Sequence, residues 1–216
     1  MIELVEAFLQ ATVAAGTPYL LATLGEIMTE RSGILNLGLE GLMIMGAVTG
    51  FGTAFITGNV WLGVLIAGIV GGIVASIHAI VSITLKANQT VSGLALTMFG
   101  LGLSGLLGKR FVGLPLPVKL QEIEIPLLSD LPLLGPLLFR HDFLTYLSIV
   151  LAIILWFVLF KTKAGIIIRS VGENPNAADS LGISVIRTRY ICTILGGILA
   201  GLAGGYLFIK VYACLV

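Results

Sequence analysis

Phe143-Leu-Thr-Tyr-Leu-Ser-Ile-Val-Leu-Ala-Ile-Ile-Leu-Trp-Phe-Val-Leu-Phe160 is a run of eighteen residues without a charged side chain. As a helix rising 1.5 Å per residue it is about 27 Å long, close to the ~30 Å hydrocarbon core of a bilayer. Similar runs occupy residues 4–24, 33–55, 61–85, 91–107 and 190–209. Each is continuously apolar, whereas the strands of a membrane β-barrel alternate over ~10 residues. The fold expected is all-α, a polytopic transmembrane helix bundle of about six spans, with residues 1–216 as a single domain.

Composition agrees. Of 216 residues, 57% are hydrophobic and 11% charged, less than half the ~25% charge of a soluble globular domain. A net charge of +1 gives no electrostatic basis for a nucleic-acid partner. The N-terminus carries Glu3 and Glu6 but no Lys or Arg before its apolar run, so it lacks the basic region of a cleaved signal peptide and reads as the first span. Cys192 and Cys214 have neither metal nor redox spacing and read as small apolar fillers.

Downstream of the quoted run, Arg169-Ser-Val-Gly-Glu-Asn-Pro-Asn-Ala-Ala-Asp-Ser-Leu-Gly-Ile183 is a polar island before the last span. Asn174 can cap a helix, Pro175 suits its first position, Ala177 and Ala178 favour it, and Gly182 suits a left-handed stop. The roughly two turns so defined are too short to stand alone in water, so the helix needs a partner. With the N-terminus outside, Arg31, Lys86, Lys161, Lys163, Arg169, Arg187 and Arg189 fall inside, against Lys109, Arg110, Lys119, Arg140 and Lys210 outside. That excess places residues 161–189 in the cytoplasm. The proline-rich residues 109–142 form an extracytoplasmic loop, with a short re-entrant or surface element expected at 127–138.

Ser32-Gly-Ile-Leu-Asn-Leu-Gly-Leu-Glu-Gly-Leu-Met-Ile-Met-Gly-Ala47 is an unusual second span. Asn36 and Glu40, four apart, are expected on one helical face, and an acid there must look into a bundle or a watery cavity. The glycines permit a broken helix or a close neighbour. A polar pair that only fixes packing is the competing reading. Asn88, Gln89 and Thr90 can cap the fourth span or line a path, capping being the safer reading. His78 reads as a packed, hydrogen-bonded group, and His141 with Asp142 as interfacial. Gly102-Leu-Ser-Gly105 resembles the motif of rhomboid proteases, but no later span carries a histidine to activate Ser104. Gly100, Ser104 and Gly108 read instead as a packing face. There is no His-Glu-x-x-His motif and no Walker A loop, hence no predicted catalytic or metal site.

Three separated stretches carry a family resemblance: residues 32–41, Ala87-Asn-Gln-Thr-Val-Ser-Gly-Leu-Ala-Leu96, and residues 171–183 leading into Gly196-Gly-Ile-Leu-Ala-Gly-Leu-Ala-Gly-Gly205. They resemble the permease subunits of bacterial ABC importers for simple sugars and nucleosides, within the branched-chain amino acid and ribose type permease family. The resemblance implies a multi-pass protein of the bacterial plasma membrane, itself no enzyme. Its implied partners are a second permease subunit, an extracytoplasmic substrate-binding protein, membrane lipid and a cytoplasmic ATP-binding subunit that holds the ATP and magnesium. It makes the island a coupling helix involving Gly172, Glu173, Asn174, Pro175, Ala177, Ala178, Asp179, Leu181 and Gly182. It sets Asn36, Glu40 and Asn88 near the translocation path. A stand-alone channel or facilitator for polar solutes is the alternative, but it leaves the island without a purpose. Family members continue past the match to Gly205 with further spans, whereas here the chain stops soon after Lys210. A truncated or frame-shifted product is the expectation at this end.

Overall fold

The computed structural model describes residues 2–115, 120, 122–124 and 139–211. Among them, six helices are long and apolar enough to cross a membrane: Leu4–Arg31, Leu39–Thr57, Val60–Thr84, Gln89–Gly108, Phe143–Lys161 and Val185–Lys210. The elements are α1 (Ile2–Arg31), α2 (Leu39–Thr57), α3 (Val60–Ala79, continued by a π-helical turn at Ile80–Thr84), α4 (Gln89–Gly108), β1 (Glu122–Glu124), β2 (Arg140–Asp142), α5 (Phe143–Lys161), α6 (Lys163–Glu173), α7 (Pro175–Ser180) and α8 (Val185–Tyr206, continued by a π-helical turn at Leu207–Val211).

Short polar residues set the ends of these helices. Asn59 Oδ1 accepts from the amides of Trp61 and Leu62, Asn88 Oδ1 from Val91, Asp142 Oδ1 from Thr145 and Thr162 Oγ1 from Gly165. Each satisfies amides that a helix leaves unpaired in its first turn. Pro18 lies inside α1 without ending it. Beside it, Thr17 donates to the Val13 carbonyl (3.0 Å) and bonds Thr145 Oγ1 on α5 (3.2 Å).

The centre of the bundle is α8, which packs on α1, α2 and α3. Its buried face, Gly196, Gly197, Ala200, Gly201, Ala203 and Gly204, is made of small residues because helices in lipid associate by close van der Waals approach. The same device joins α2 to α4. A Cβ built on Gly100 would stand 2.6 Å from the Gly41 carbonyl oxygen, so the two backbones touch there. Leu42, Met45, Val74, Ala75, Leu96 and Ala200 fill the space between α2, α3, α4 and α8.

At the outer end β1 pairs antiparallel with β2, Ile123 opposite His141, the one departure from an all-α fold among the described residues. The element expected at 127–138 lies outside the described residues, as does Cys214. His141 and Asp142, at the edge of the span that starts at Phe143, are buried within the protein. Besides capping α5, the Asp142 carboxylate accepts from Tyr206 Oη (2.8 Å) and Thr145 Oγ1 (3.2 Å) and pairs with Lys210 Nζ (3.7 Å). These bonds tie the end of β2 and the start of α5 to the end of α8.

One boundary differs from the hydropathy reading. The second span begins as a helix at Leu39, not at residue 33, and the break expected in it falls before its first turn. Asn36 therefore does not share a helical face with Glu40.

Candidate functional site

Residues 32–38 run without regular structure between α1 and α2, and side chains from four other places in the bundle hold them. The Leu35 amide donates to Gln89 Oε1 (2.8 Å) and the Asn36 amide to Glu26 Oε1 (3.1 Å). Leu37 O accepts from Thr97 Oγ1 (3.1 Å), and Ser32 O from Arg189 Nε (3.2 Å). His78 Nε2 bonds the Leu35 carbonyl (3.2 Å) while Nδ1 bonds Ser92 Oγ (3.0 Å). A carbonyl can only accept, so in the neutral ring Nε2 carries the proton and Nδ1 accepts from the serine. Within the segment, Asn36 Oδ1 accepts from the Gly38 amide (2.9 Å), an Asx turn that starts α2.

The segment runs up beside α4, from Leu35 at Gln89, the first residue of that helix, to Gly38 against Gly93 and Leu96. Gly41 packs on Leu96 and Thr97, seven and eight residues past the start of α4 at Gln89, which is roughly 11 Å up that helix. Irregular backbone at such a level persists only where protein or a water-lined cavity satisfies it. Five side chains on α1, α3, α4 and α8 do so here. The first turn of α2 is thereby set inside the bilayer, and Glu40 within that turn is exposed on the bundle surface.

Beside the segment, α3 and α4 flank a groove of about 490 Å³ lined by Ile77, His78, Val81, Ser92, Leu96 and Phe99 among others, with Ala87 and Asn88 at its inner mouth. Its walls are mostly apolar; of the polar groups on them, His78 bonds residue 35, Ser92 bonds His78 and Asn88 caps α4. Next to that mouth, Lys86 takes a left-handed conformation, φ +53°, which a residue with a Cβ rarely adopts.

The cytoplasmic island consists of two helices. α6 buries Ile168 and Val171, and Arg169 lies over the Phe160 ring, 5.4 Å from its centre. α7 follows with Asn174 Oδ1 accepting from the Ala177 amide (3.0 Å) and Pro175 at its first position. Its end is a Schellman turn. The Gly182 amide donates to Asp179 O (2.8 Å), the Ile183 amide to Ala178 O (3.1 Å), and Gly182 has φ +79°. Ala178 is buried beneath, whereas Glu173, Asn174, Ala177, Asp179 and Gly182 are exposed and Leu181 is 81% exposed. Gly172 joins this unit to the segment. A Cβ there would overlap the Arg31 carbonyl oxygen and stand 3.2 Å from the Gly33 amide nitrogen.

The family described as branched-chain amino acid transport system / permease component matches residues 8–213. The chain belongs to that family. As one of these permeases, with six helices long and apolar enough to cross a membrane among the described residues, it is a multi-pass protein of the bacterial plasma membrane. It is 41% identical, over 92% of its length, to a protein of Haloferax volcanii whose name assigns it to glucose ABC transport as a permease. It is 40% identical over 95% of its length to the guanosine ABC transporter permease protein NupQ of Bacillus subtilis, and 38% identical over 87% to a nucleoside ABC transporter permease protein of Lactococcus lactis. The chain spans 61%, 68% and 62% of the length of these three relatives. No solved structure matches it.

The structure brings Asn36 and Asn88 to the inner half of the bundle but not side by side. Asn36 is buried in its own turn, and Asn88 is exposed at the groove mouth, where it caps α4. Glu26, Thr97 and Arg189 went unremarked as site residues in the sequence. Glu26 carried a signal, a carboxylate one turn before the end of a long apolar helix. Thr97 carried none.

Proposed function

We propose that this chain is the membrane-spanning subunit of an ABC importer for a nucleoside or simple sugar, moving its solute by alternating access while a separate cytoplasmic subunit binds ATP and magnesium and hydrolyses the nucleotide. The observation that carries the reading is α7. A helix of six residues is stopped at both ends, held on a buried Ala178, and presents Leu181 at 81% exposure outside any span. An apolar side chain held out from the membrane on so short a capped helix is the form of a docking knob. A channel that opens by itself has no use for one.

Glu40 marks a second surface. A carboxylate exposed one residue into a spanning helix, at bilayer depth, is costly against lipid and is stable against water or another subunit. The face of α2 that bears it therefore belongs to the solute path or to a second permease subunit, with Asn36 beneath and Asn88 at the groove mouth. An extracytoplasmic binding protein delivers the solute to the outer end. The names of the relatives support a nucleoside or a sugar as that solute.

The test is co-expression with an ATP-binding subunit and a binding protein, purification, and uptake into proteoliposomes. ATP-dependent uptake of a nucleoside or hexose is expected. Burying Leu181 contributes ~1.5–3 kcal/mol, so Leu181→Ser should weaken retention of the ATP-binding subunit by about tenfold or more. Flux through this chain alone, independent of ATP, would overturn the reading in favour of a channel.

A further inference from the structure

We propose that residues 32–38 are the element that carries movement of α6 and α7 into the bundle, and that His78 is the positioning residue that makes this segment and α4 move together. The proposal rests on the docking role given to α7 and adds the route inward from it.

The route is a chain of contacts. Gly172, at the end of α6, touches the backbone of Arg31 and Gly33 with no side chain between them, so a shift of α6 is passed on without slack. Arg189, at the start of α8, bonds the Ser32 carbonyl from the other side. Beyond this joint, the backbone of residues 35–37 bonds to distant side chains and not to its own neighbours. Leu35 and Asn36 amides and Leu35 and Leu37 carbonyls all go to side chains elsewhere. A stretch with no ladder of its own takes its shape from what holds it, and can change shape by exchanging those bonds. Of the holding groups, Glu26 belongs to α1, which already abuts the joint. Gln89 and Thr97 belong to α4, and His78 of α3 lines the groove. His78 alone among them bonds both the segment and a residue of another helix, Ser92 of α4. It is buried between α3 and α4 and forms part of the groove wall. Displacing the Leu35 carbonyl must turn the ring or release Ser92, and either change alters the wall of the groove.

The experiment uses the assembled transporter in nanodiscs, with Cys192→Ala and Cys214→Ala and a single reporter cysteine. One reporter replaces Asn176 on the exposed face of α7, the other replaces Leu37 in the segment. The rate of maleimide labelling is compared with and without ATP and a hydrolysis-blocking phosphate analogue. Both reporters are expected to respond, and the Leu37→Cys response is expected to shrink about tenfold in His78→Leu, which removes both hydrogen bonds. His78→Gln, which keeps a donor and an acceptor, should restore part of it, a rescue that a filler of space would not give. Gln89→Ala, at the exposed start of α4, provides a milder variant that leaves the buried core intact and should reduce the response in the same direction. A response at Leu37→Cys that is undiminished in both His78→Leu and Gln89→Ala overturns the proposal. So does a silent Leu37→Cys while Asn176→Cys responds, which leaves the docking role of α7 standing. Silence at both sites removes the docking reading and this proposal together.

Discussion

Replacing Gly100 by alanine tests the crossing of α2 and α4, on which the position of the irregular segment depends. The new Cβ would lie 2.6 Å from the Gly41 carbonyl oxygen and 2.7 Å from the Gly41 Cα, whereas non-bonded heavy atoms rest at ~3.5–4.0 Å. The helices must separate by close to 1 Å, and such overpacking costs ~1–3 kcal/mol. Alanine also favours a helix over glycine by ~1 kcal/mol, which would blur the single measurement. Gly102 removes that ambiguity. It lies on the same helix with nothing within 4 Å of its built Cβ, so Gly102→Ala carries the propensity gain without the clash. The difference between the two variants is then the packing cost itself. At ~2–4 °C per kcal/mol for a chain of this size, Gly100→Ala should melt roughly 3–10 °C below Gly102→Ala. Cys192, 1% exposed in the core, serves as reporter. In a Cys214→Ala background, a thiol-reactive fluorophore in detergent brightens only as the bundle opens. Equal melting of the two variants would show that the helices do not cross at this distance.

Three further outcomes are expected. Asn174→Ala with Gly182→Ala removes the cap and the left-handed stop of α7, ~1 kcal/mol each, and should lower co-purification of an ATP-binding subunit between about 5- and 30-fold; full retention would mean that α7 need not be helical to dock. Asp142→Ala leaves the Tyr206 hydroxyl and the Lys210 ammonium facing a buried gap, and by the cost of a broken buried pair should destabilise by ~3–5 kcal/mol, with Asp142→Asn, which keeps the cap, falling between; a melting temperature within 2 °C or so of the parent chain, less than ~1 kcal/mol, would refute the role of this network. Lys86→Gly relieves a left-handed residue that costs ~1–2 kcal/mol when it bears a Cβ, and should raise the melting temperature by a few degrees; a lower one would show that the lysine side chain holds the turn.

The six spans were legible in the sequence because burial in lipid demands long apolar runs, and hydropathy reads those directly. The stop signals of α7 were legible too, since Asn174, Pro175 and Gly182 act on their own neighbours in the chain. Two features were not. The start of α2 was placed at residue 33 because Ile34, Leu35 and Leu37 extend the apolar pattern, while the bonds that keep them out of a helix come from Glu26, His78, Gln89 and Thr97, distant in sequence. α6 was missed because Lys163 and Arg169 flag a cytoplasmic loop. Its helical signal was Thr162 as a cap followed by Ile168 and Val171, three apart on the buried side. His78 was read as a packed, hydrogen-bonded group, and the structure gives it Ser82 one turn on together with Leu35 and Ser92, the last two beyond any local pattern. The burial of Asp142 was not legible because its partners on α8 lie more than sixty residues away.

The network around Asp142 has a mechanical corollary. Through Asp142, Thr145, Tyr206, Lys210 and Thr17 it fastens the outer ends of α5 and α8 to one another and to the middle of α1. At the inner end the same three helices carry the cytoplasmic unit: α5 leads into α6, α8 leaves α7, and α1 abuts Gly172. Rods fastened at one end and loaded at the other behave as levers about a shared fulcrum. A helix of nineteen residues such as α5 is about 28 Å long, so a tilt of about 5° about that outer fulcrum swings its inner end by roughly 2.5 Å. Under the proposed docking role of α7, this ion pair would set the gearing of the bundle, keeping the outer ends of α5 and α8 together while their inner ends travel.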